Sequence, residues 1–253
     1  MLKTRVMPCL LLRNRGLVKT IKFKDPAYIG DPVNTVRIYN EKEVDELIVL
    51  DITATPENKK PPFRIIDEIA GECFMPFTYG GGIRDIDDAR EIFSLGVEKI
   101  AVNSHAVESP AFITQLAERF GSQSVMVSID ARKKVFGGYE VYTHGGRQAT
   151  GRAPVEWAIM AEKMGAGEIL LTSINRDGTM EGYDLELIKQ VTRMVNIPVI
   201  ACGGAGEITD FEKAVKDGGA SAVAAGSMVV YQGKNRAVLI NFPYRRELSK
   251  VLD

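Results

Sequence analysis

The chain has 253 residues, 45% hydrophobic and 26% charged, with a formal net charge of -1. That length can bury a large core as one domain spanning 1–253, and the charge balance lacks the basic excess that a nucleic-acid binder needs to neutralise phosphates. Cys9, Cys73 and Cys202 lie far apart in sequence, with only His105 and His144 beside them. They form neither zinc spacing nor a disulfide framework, so a reduced, cytoplasmic setting with no metal or redox cofactor is expected.

Lys3 and Arg5 precede the apolar run 6–12, which stops at Arg13 with no small-residue cleavage site. It reads as a first strand rather than a signal peptide. Further runs of strand length lie at 47–52, 76–79, 100–103, 125–130, 169–173, 198–201 and 222–226. Amphipathic helical spacing covers 87–95, 110–120, 155–164, 185–195 and 210–217. After Asp130 a charged stretch, Gly137-Gly138 and 139–142 predict a hairpin inserted behind strand 5. The apolar stretch 220–231 is rich in Ala and Gly and too short to span a bilayer, so no membrane association is expected. Unbroken strand-like runs separated by helices imply a parallel sheet covered on both faces.

The chain also repeats itself. Residues 75–82 (MPFTYGGG) return as 197–204 (IPVIACGG), and Glu46 before strand 2 returns as Glu168 before strand 6. Asn103-Ser104 matches Gly226-Ser227, and Val6-Met7 matches Val125-Met126. A repeat near half the chain length predicts two four-strand halves and favours a closed (β/α)8 barrel with approximate twofold symmetry over an open doubly wound sheet.

In such barrels the chemistry lies where strands end and loops begin. Gly80-Gly81-Gly82 and Gly203-Gly204-Ala205-Gly206 occupy matching strand ends, where missing Cβ atoms let backbone N–H groups approach an anion. Asn103-Ser104 and Gly226-Ser227 end the next strand of each half and add amide and hydroxyl donors. Two phosphate sites on opposite sides of the mouth follow, and with them a small molecule phosphorylated at both ends. The alternative is that these glycines only make tight turns. Asp51, Asp130 and Asp177 fall at strand ends or just beyond, where carboxylates serve acid–base work or hold ribose hydroxyls, although Asp177-Gly178 also suits a plain turn. Lys19, placed in the loop after strand 1, either closes over a bound phosphate or is a solvated surface lysine. At the opposite end Arg5, Glu46, Lys99 and Glu168 stand directly before strands 1, 2, 4 and 6. Charge pattern alone favours a stabilising plug there over a gate.

Met7-Pro8-Cys9-Leu10, Gly30-Asp31-Pro32, Asp51-Ile52-Thr53, Gly80-Gly81-Gly82-Ile83-Arg84, Asn103-Ser104, Tyr142-Thr143-His144-Gly145-Gly146, Arg176-Asp177-Gly178-Thr179 and Gly182-Tyr183-Asp184-Leu185 follow one another in order. In these motifs the chain resembles the cyclase subunit (HisF-type) of imidazole glycerol phosphate synthase, from about residue 1 to 227. The resemblance implies a twofold barrel, a class I glutaminase (HisH-type) docked on its bottom face, and ammonia crossing the barrel to a ribonucleotide with two phosphates. It implies that Gly82, Asn103 and Ser104 hold one phosphate and Gly204, Gly226 and Ser227 the other, with Lys19, Asp51, Thr172 and Asp177 lining the groove. Arg5, Glu46, Lys99 and Glu168 match the family's charged ammonia gate, which reverses the preference for a plug, and Thr78 would sit on the conduit.

Two departures stand out. The family has catalytic aspartates at the ends of strands 1 and 5; Asp130 keeps the second, but position 11 is Leu11, which can neither donate nor accept a proton. The tail 231–253, including Gly233-Lys234-Asn235-Arg236, Asn241-Phe242-Pro243 and Arg245-Arg246, departs from the family's closing helix. Together they resemble a divergent branch associated with surface-polysaccharide (lipopolysaccharide) biosynthesis, in which barrel and glutaminase supply ammonia to a separate sugar amidotransferase that makes an acetamidino group. Cyclase activity of the chain's own is then doubtful. The alternatives are a working cyclase in histidine biosynthesis and a non-catalytic activator of the glutaminase that binds a phosphorylated metabolite.

Overall fold

The computed structural model describes residues 4–233 and 235–252. Lys3, and Lys234 of the tail motif, fall outside them. Among the described residues eight parallel strands form the barrel wall: β1 Arg5–Arg13, β2 Leu47–Asp51, β3 Phe77–Gly80, β4 Lys99–Val102, β5 Val125–Lys133, β6 Glu168–Ser173, β7 Val199–Cys202 and β8 Ala222–Ala225. Each pairs with its neighbour in chain order. β1 also pairs with β8 through Arg5↔Ala222, which closes the ring. The expected (β/α)8 barrel is the fold, and each expected strand core overlaps its observed strand.

Alternation along each strand builds two cores. In β1, Val6, Leu10 and Leu12 point outward and pack under the helices with Tyr39, Phe77 and Val49, whereas Met7 and Cys9 point inward. There they meet Ile48, Ala101, Met126, Leu170 and Ile200 on the barrel axis. Both faces of the wall are covered, which is why the strands read as nearly continuous apolar runs.

Helices leave the strand ends with strong caps. Asp31 accepts from Asn34 N at 2.9 Å and Pro32 opens the helix Pro32–Glu41. Asp85 caps Ile86–Ser94, and Asp184 caps Leu185–Thr192. The expected helices 87–95, 110–120 and 155–164 are present nearly as drawn; 185–195 ends at Thr192, and 210–217 is a short helix, Ile208–Glu212, continued as a π-turn, Lys213–Asp217. The Asp-Pro pair at 31–32 was the available signal for the first helix.

Two segments correct the sequence reading, and a third bears it out. The expected loop after strand 1 is an antiparallel hairpin, Gly16–Ile21 paired with Lys24–Gly30, and Gly16–Ile21 pairs back onto β1 through Leu11↔Val18. Lys19 therefore sits in a strand and is buried, which overturns the solvated alternative. The expected hairpin behind strand 5 is present: Tyr139–Thr143 pairs antiparallel with the upper part of β5. In the tail, a short hairpin (Tyr231–Gln232 with Ala237–Val238) precedes a closing helix, Arg245–Leu252, that buries Leu248 and Leu252. No helix among the described residues is long and apolar enough to cross a membrane.

Candidate functional site

At the N-terminal end of the barrel the four charged residues form one closed ring. Arg5 donates to Glu46 Oε2 and Glu168 Oε1, both at 2.7 Å, and Lys99 Nζ lies 3.1 Å from an oxygen of each acid. The strand register sets this arrangement, because Arg5, Lys99 and Glu168 open their strands and Glu46 directly precedes β2. Glu46, the most buried of the four, also accepts a hydrogen bond from Thr78 Oγ1 at 3.0 Å. Above the ring Met7, Ile48, Met126, Leu170 and Ile200 fill the axis. Thr78 thus lies at the level of the ring, tied to it.

At the other end a cavity of about 700 Å³ opens among the loops that follow the strands. Cys9, Leu50 and Cys202 line its depths, and Leu11, Asp130, Thr172 and Asp177 line its walls. Lys19, Asp51, Gly82, Asn103, Ser104, Gly204, Gly226 and Ser227 line it too, so every residue assigned to the groove from the sequence converges here. Lys22, Arg84, Arg132 and Arg147 at the mouth add positive charge that suits an anion.

The two glycine-rich strand ends expected to hold anions repeat in backbone as well as in sequence. Asn103 (φ -129°, ψ -85°) and Gly226 (φ -108°, ψ -82°) adopt the same unusual conformation at the matching strand ends, and each opens a short helical turn. Gly82 (φ 75°) and Gly204 (φ 118°) are left-handed, and a Cβ on Gly204 would collide with the Gly182 carbonyl. These glycines make tight turns and also clear the space above their N–H groups.

Side-chain partners break the symmetry. Ser104 Oγ accepts from His144 N at 3.0 Å, while the buried Ser227 Oγ has no protein partner. An orphaned buried hydroxyl facing the cavity fits an anion that completes it. The Lys19 ammonium donates to Cys9 O at 2.5 Å and rests against Gly226, where a Cβ would displace it. Asn103, expected as a phosphate donor, gives its Nδ2 to Asp130 Oδ2 at 3.0 Å. Asp51 Oδ1 accepts from Thr53 N, Thr53 Oγ1 and Ala54 N, so that oxygen shapes the loop after β2. Asp177 accepts from Thr20 Oγ1 at 2.7 Å.

Asp130 lies within β5, which continues past it to Lys133, and it faces the cavity as expected. Burial, reinforced by the nearby Asp177 carboxylate and opposed by hydrogen bonds from Ser128 and Thr172, pushes its pKa from 3.8 up to about 7. Burial likewise raises Asp177, against the hydrogen bond from Thr20 and the charge of Lys19. The fold therefore favours neutral Asp130: its contribution is most favourable at low pH and is lost as pH rises through about 7. Asp130→Asn should stabilise the protein at pH 8, on the order of 2 kcal/mol, with the gain shrinking towards pH 4. Urea unfolding of both proteins at the two pH values reads this directly, and equal gains at both would contradict it.

Several cavity residues escaped the sequence reading. Cys9 and Cys202, far apart in the chain, pack together at the cavity floor. Both are free thiols, as is Cys73. Arg132, near the end of β5, stacks its guanidinium 4.2 Å over the Tyr142 ring, and His144 (φ 54°) directly follows the strand Tyr139–Thr143. The hairpin was expected from Gly137-Gly138 and 139–142, but only its fold over the mouth brings these two side chains to the cavity.

Known proteins agree with this architecture. The family model described as "Histidine biosynthesis protein" matches residues 5–236. A Pseudomonas aeruginosa protein, provisionally named imidazole glycerol phosphate synthase subunit hisF2, is 53% identical over 243 residues, covering 96% of this chain and 97% of its own length. A Leptospira interrogans protein provisionally named subunit HisF is 50% identical over 248 residues, 98% of each chain. The imidazole glycerol phosphate synthase subunit HisF of Alkaliphilus metalliredigens is 46% identical over 231 residues, 91% of this chain and 92% of its own. With the closed barrel, the paired cradles and these relatives together, the chain belongs to the HisF-type cyclase subunit family of imidazole glycerol phosphate synthase.

Proposed function

We propose that this chain receives ammonia from a HisH-type glutaminase docked on the N-terminal face of the barrel and delivers it to an acceptor other than the family's ribonucleotide. The acceptor we favour is a surface-polysaccharide sugar held by a separate amidotransferase, where ammonia nitrogen replaces the oxygen of an N-acetyl group to give an acetamidino group. One observation carries the reading: Leu11 lines the cavity beside a pocket that otherwise keeps Asp130, both cradles and the complete charged ring. A general acid–base pair is thereby reduced to one member, while the charged ring suited to ammonia entry is complete.

Ammonia entry requires motion. Arg5 and Lys99 bridge both glutamates and the apolar layer above them is packed, so passage needs the ring to open and side chains such as Met7 and Met126 to move aside. Arg5 is the most exposed member of the ring and the natural one to swing outward. Above, the cradles would hold phosphate groups, through Gly82, Asn103 and Ser104 on one side and Gly204, Gly226 and Ser227 on the other. Lys19 would supply charge, and Asp51, Thr172 and Asp177 would line the groove.

The deciding assay supplies free ammonia and the family's phosphorylated ribonucleotide to the purified chain. The proposal expects cyclisation about 10²–10⁴-fold below that of a relative carrying both carboxylates. Turnover close to such a relative would defeat it and support the second reading, a working cyclase. What favours that second reading is Asp130, whose raised pKa of about 7 suits proton transfer near neutral pH.

A further inference from the structure

The tail that departs from the family pattern reaches back to the cavity. Arg236 donates from Nη2 to the carbonyl oxygens of Gly178, at 2.8 Å, and Thr179, at 3.5 Å. It sits in a left-handed conformation (φ 50°) at the turn of the tail hairpin, half-buried, with its guanidinium 5.9 Å from the Tyr231 ring centre. The loop it grips has no slack on its other side. Gly178 (φ 71°) packs against the backbone of Thr20 so closely that a Cβ would strike the Thr20 carbonyl. From the same loop, the Asp177 carbonyl accepts from Lys22 N at 2.9 Å. The Asp177 carboxylate accepts from Thr20 Oγ1 at 2.7 Å and from Phe23 N at 3.3 Å. Thr20 adjoins Lys19, whose ammonium lies on Cys9 O and Gly226.

From this unbroken path we infer that Arg236 is a positioning residue, which clamps the Asp177–Thr179 loop against the Gly16–Gly30 hairpin and so holds Lys19 and Asp177 at the second cradle. The chemistry suits a clamp. Arginine is permanently charged and carries a planar fork of donors that can serve neighbouring carbonyls, and a charge-assisted bond outlasts a neutral one. The tail hairpin is short: two ladder pairs continued by hydrogen bonds from Leu239 N to Val230 O and from Asn241 N to Val229 O, so its turn depends on contacts with the rest of the chain. Hairpin and loop therefore hold each other. The importance of the clamp rests on the cavity being the ligand site proposed above, but its existence does not.

Hydrogen exchange of the full chain tests it without any ligand. Arg236→Ala should speed exchange at the Lys22 and Phe23 amides, and across 176–182, by about tenfold or more, the loss of a charge-assisted hydrogen bond. Amides of β1–β8 should stay as protected as in the wild type, and Arg236→Lys should recover part of the protection. Unchanged exchange in Arg236→Ala would overturn the inference. So would an increase spread evenly over the barrel strands, or a lysine variant as loose as the alanine one. None of these outcomes depends on which acceptor the ammonia reaches, so failure of the clamp and failure of the proposed function are separately visible.

Discussion

Leu11→Asp should raise ammonia-dependent cyclisation of the phosphorylated ribonucleotide by about 10²–10⁴-fold, the usual worth of a positioned general acid or base. Leu11 pairs with Leu50 on one side and Val18 on the other and lines the cavity, as does Asp130. The internal repeat makes positions 11 and 130 equivalent, so the new carboxylate would occupy the counterpart of an existing one. It would enter a buried region that already raises Asp130 and Asp177. The pH–rate profile should then gain a second titrating limb, because an acid and a base must each be in the right protonation state. The substitution also has a cost in stability, since it exchanges a buried apolar side chain for a group that resists burial. Rates should therefore be compared at a temperature where both proteins are folded. No gain in rate, in a variant shown to be folded, would mean that the pocket has lost more than one proton-transfer group. Kinetics with free ammonia, independent of any glutaminase, isolate this question.

Glu46→Ala should be the most damaging single change in the charged ring, lowering stability by about 3 kcal/mol in chemical denaturation. Glu46 is 3% exposed and is bound by three groups: Arg5, Lys99 and the Thr78 hydroxyl. Its removal leaves two cations sharing Glu168, leaves the fully buried Thr78 hydroxyl without that acceptor, and opens a small void. Glu46→Gln, which can still accept from Thr78, should cost less. Arg5 is the weaker test, because its 30% exposed side chain can turn to water and be screened. If the ring also gates ammonia, Glu46→Gln should change glutamine-dependent transfer in the assembled complex while leaving transfer from external ammonia alone. A Glu46→Ala protein as stable as the wild type would show that solvent already screens the ring.

Much of the site was legible because barrel chemistry collects at strand ends, and strand ends follow from where apolar runs stop. Asp51, Asn103 and Asp130 could be placed at the mouth from position alone, and the duplicated glycines marked two matching strand ends there. Partners were not legible. That Asn103 holds Asp130, that Ser104 is occupied while Ser227 is not, and that Lys19 is buried against Gly226 all depend on contacts between segments distant in sequence. The hairpin Gly16–Gly30 was hidden by its own composition. Its second strand, Lys24–Gly30, is mostly exposed, opens on Lys-Asp-Pro and carries no buried-strand pattern.

The amino-acid order by itself determined the eight strands, their burial on both faces and the twofold repeat, because hydrophobic periodicity and self-similarity are local properties of a chain. The alignment of the two halves, which needs no coordinates, also sets Leu11 opposite Asp130 in the repeat. Only the tertiary structure decided which charges meet and which groups lose their water. Closure of the wall brings residues 5, 46, 99 and 168 into one ring and Cys9 to Cys202, and the tail folds back to set Arg236 on the Asp177 loop. Burial and electrostatic coupling are properties of that closed arrangement, and they raise Asp130 towards neutrality.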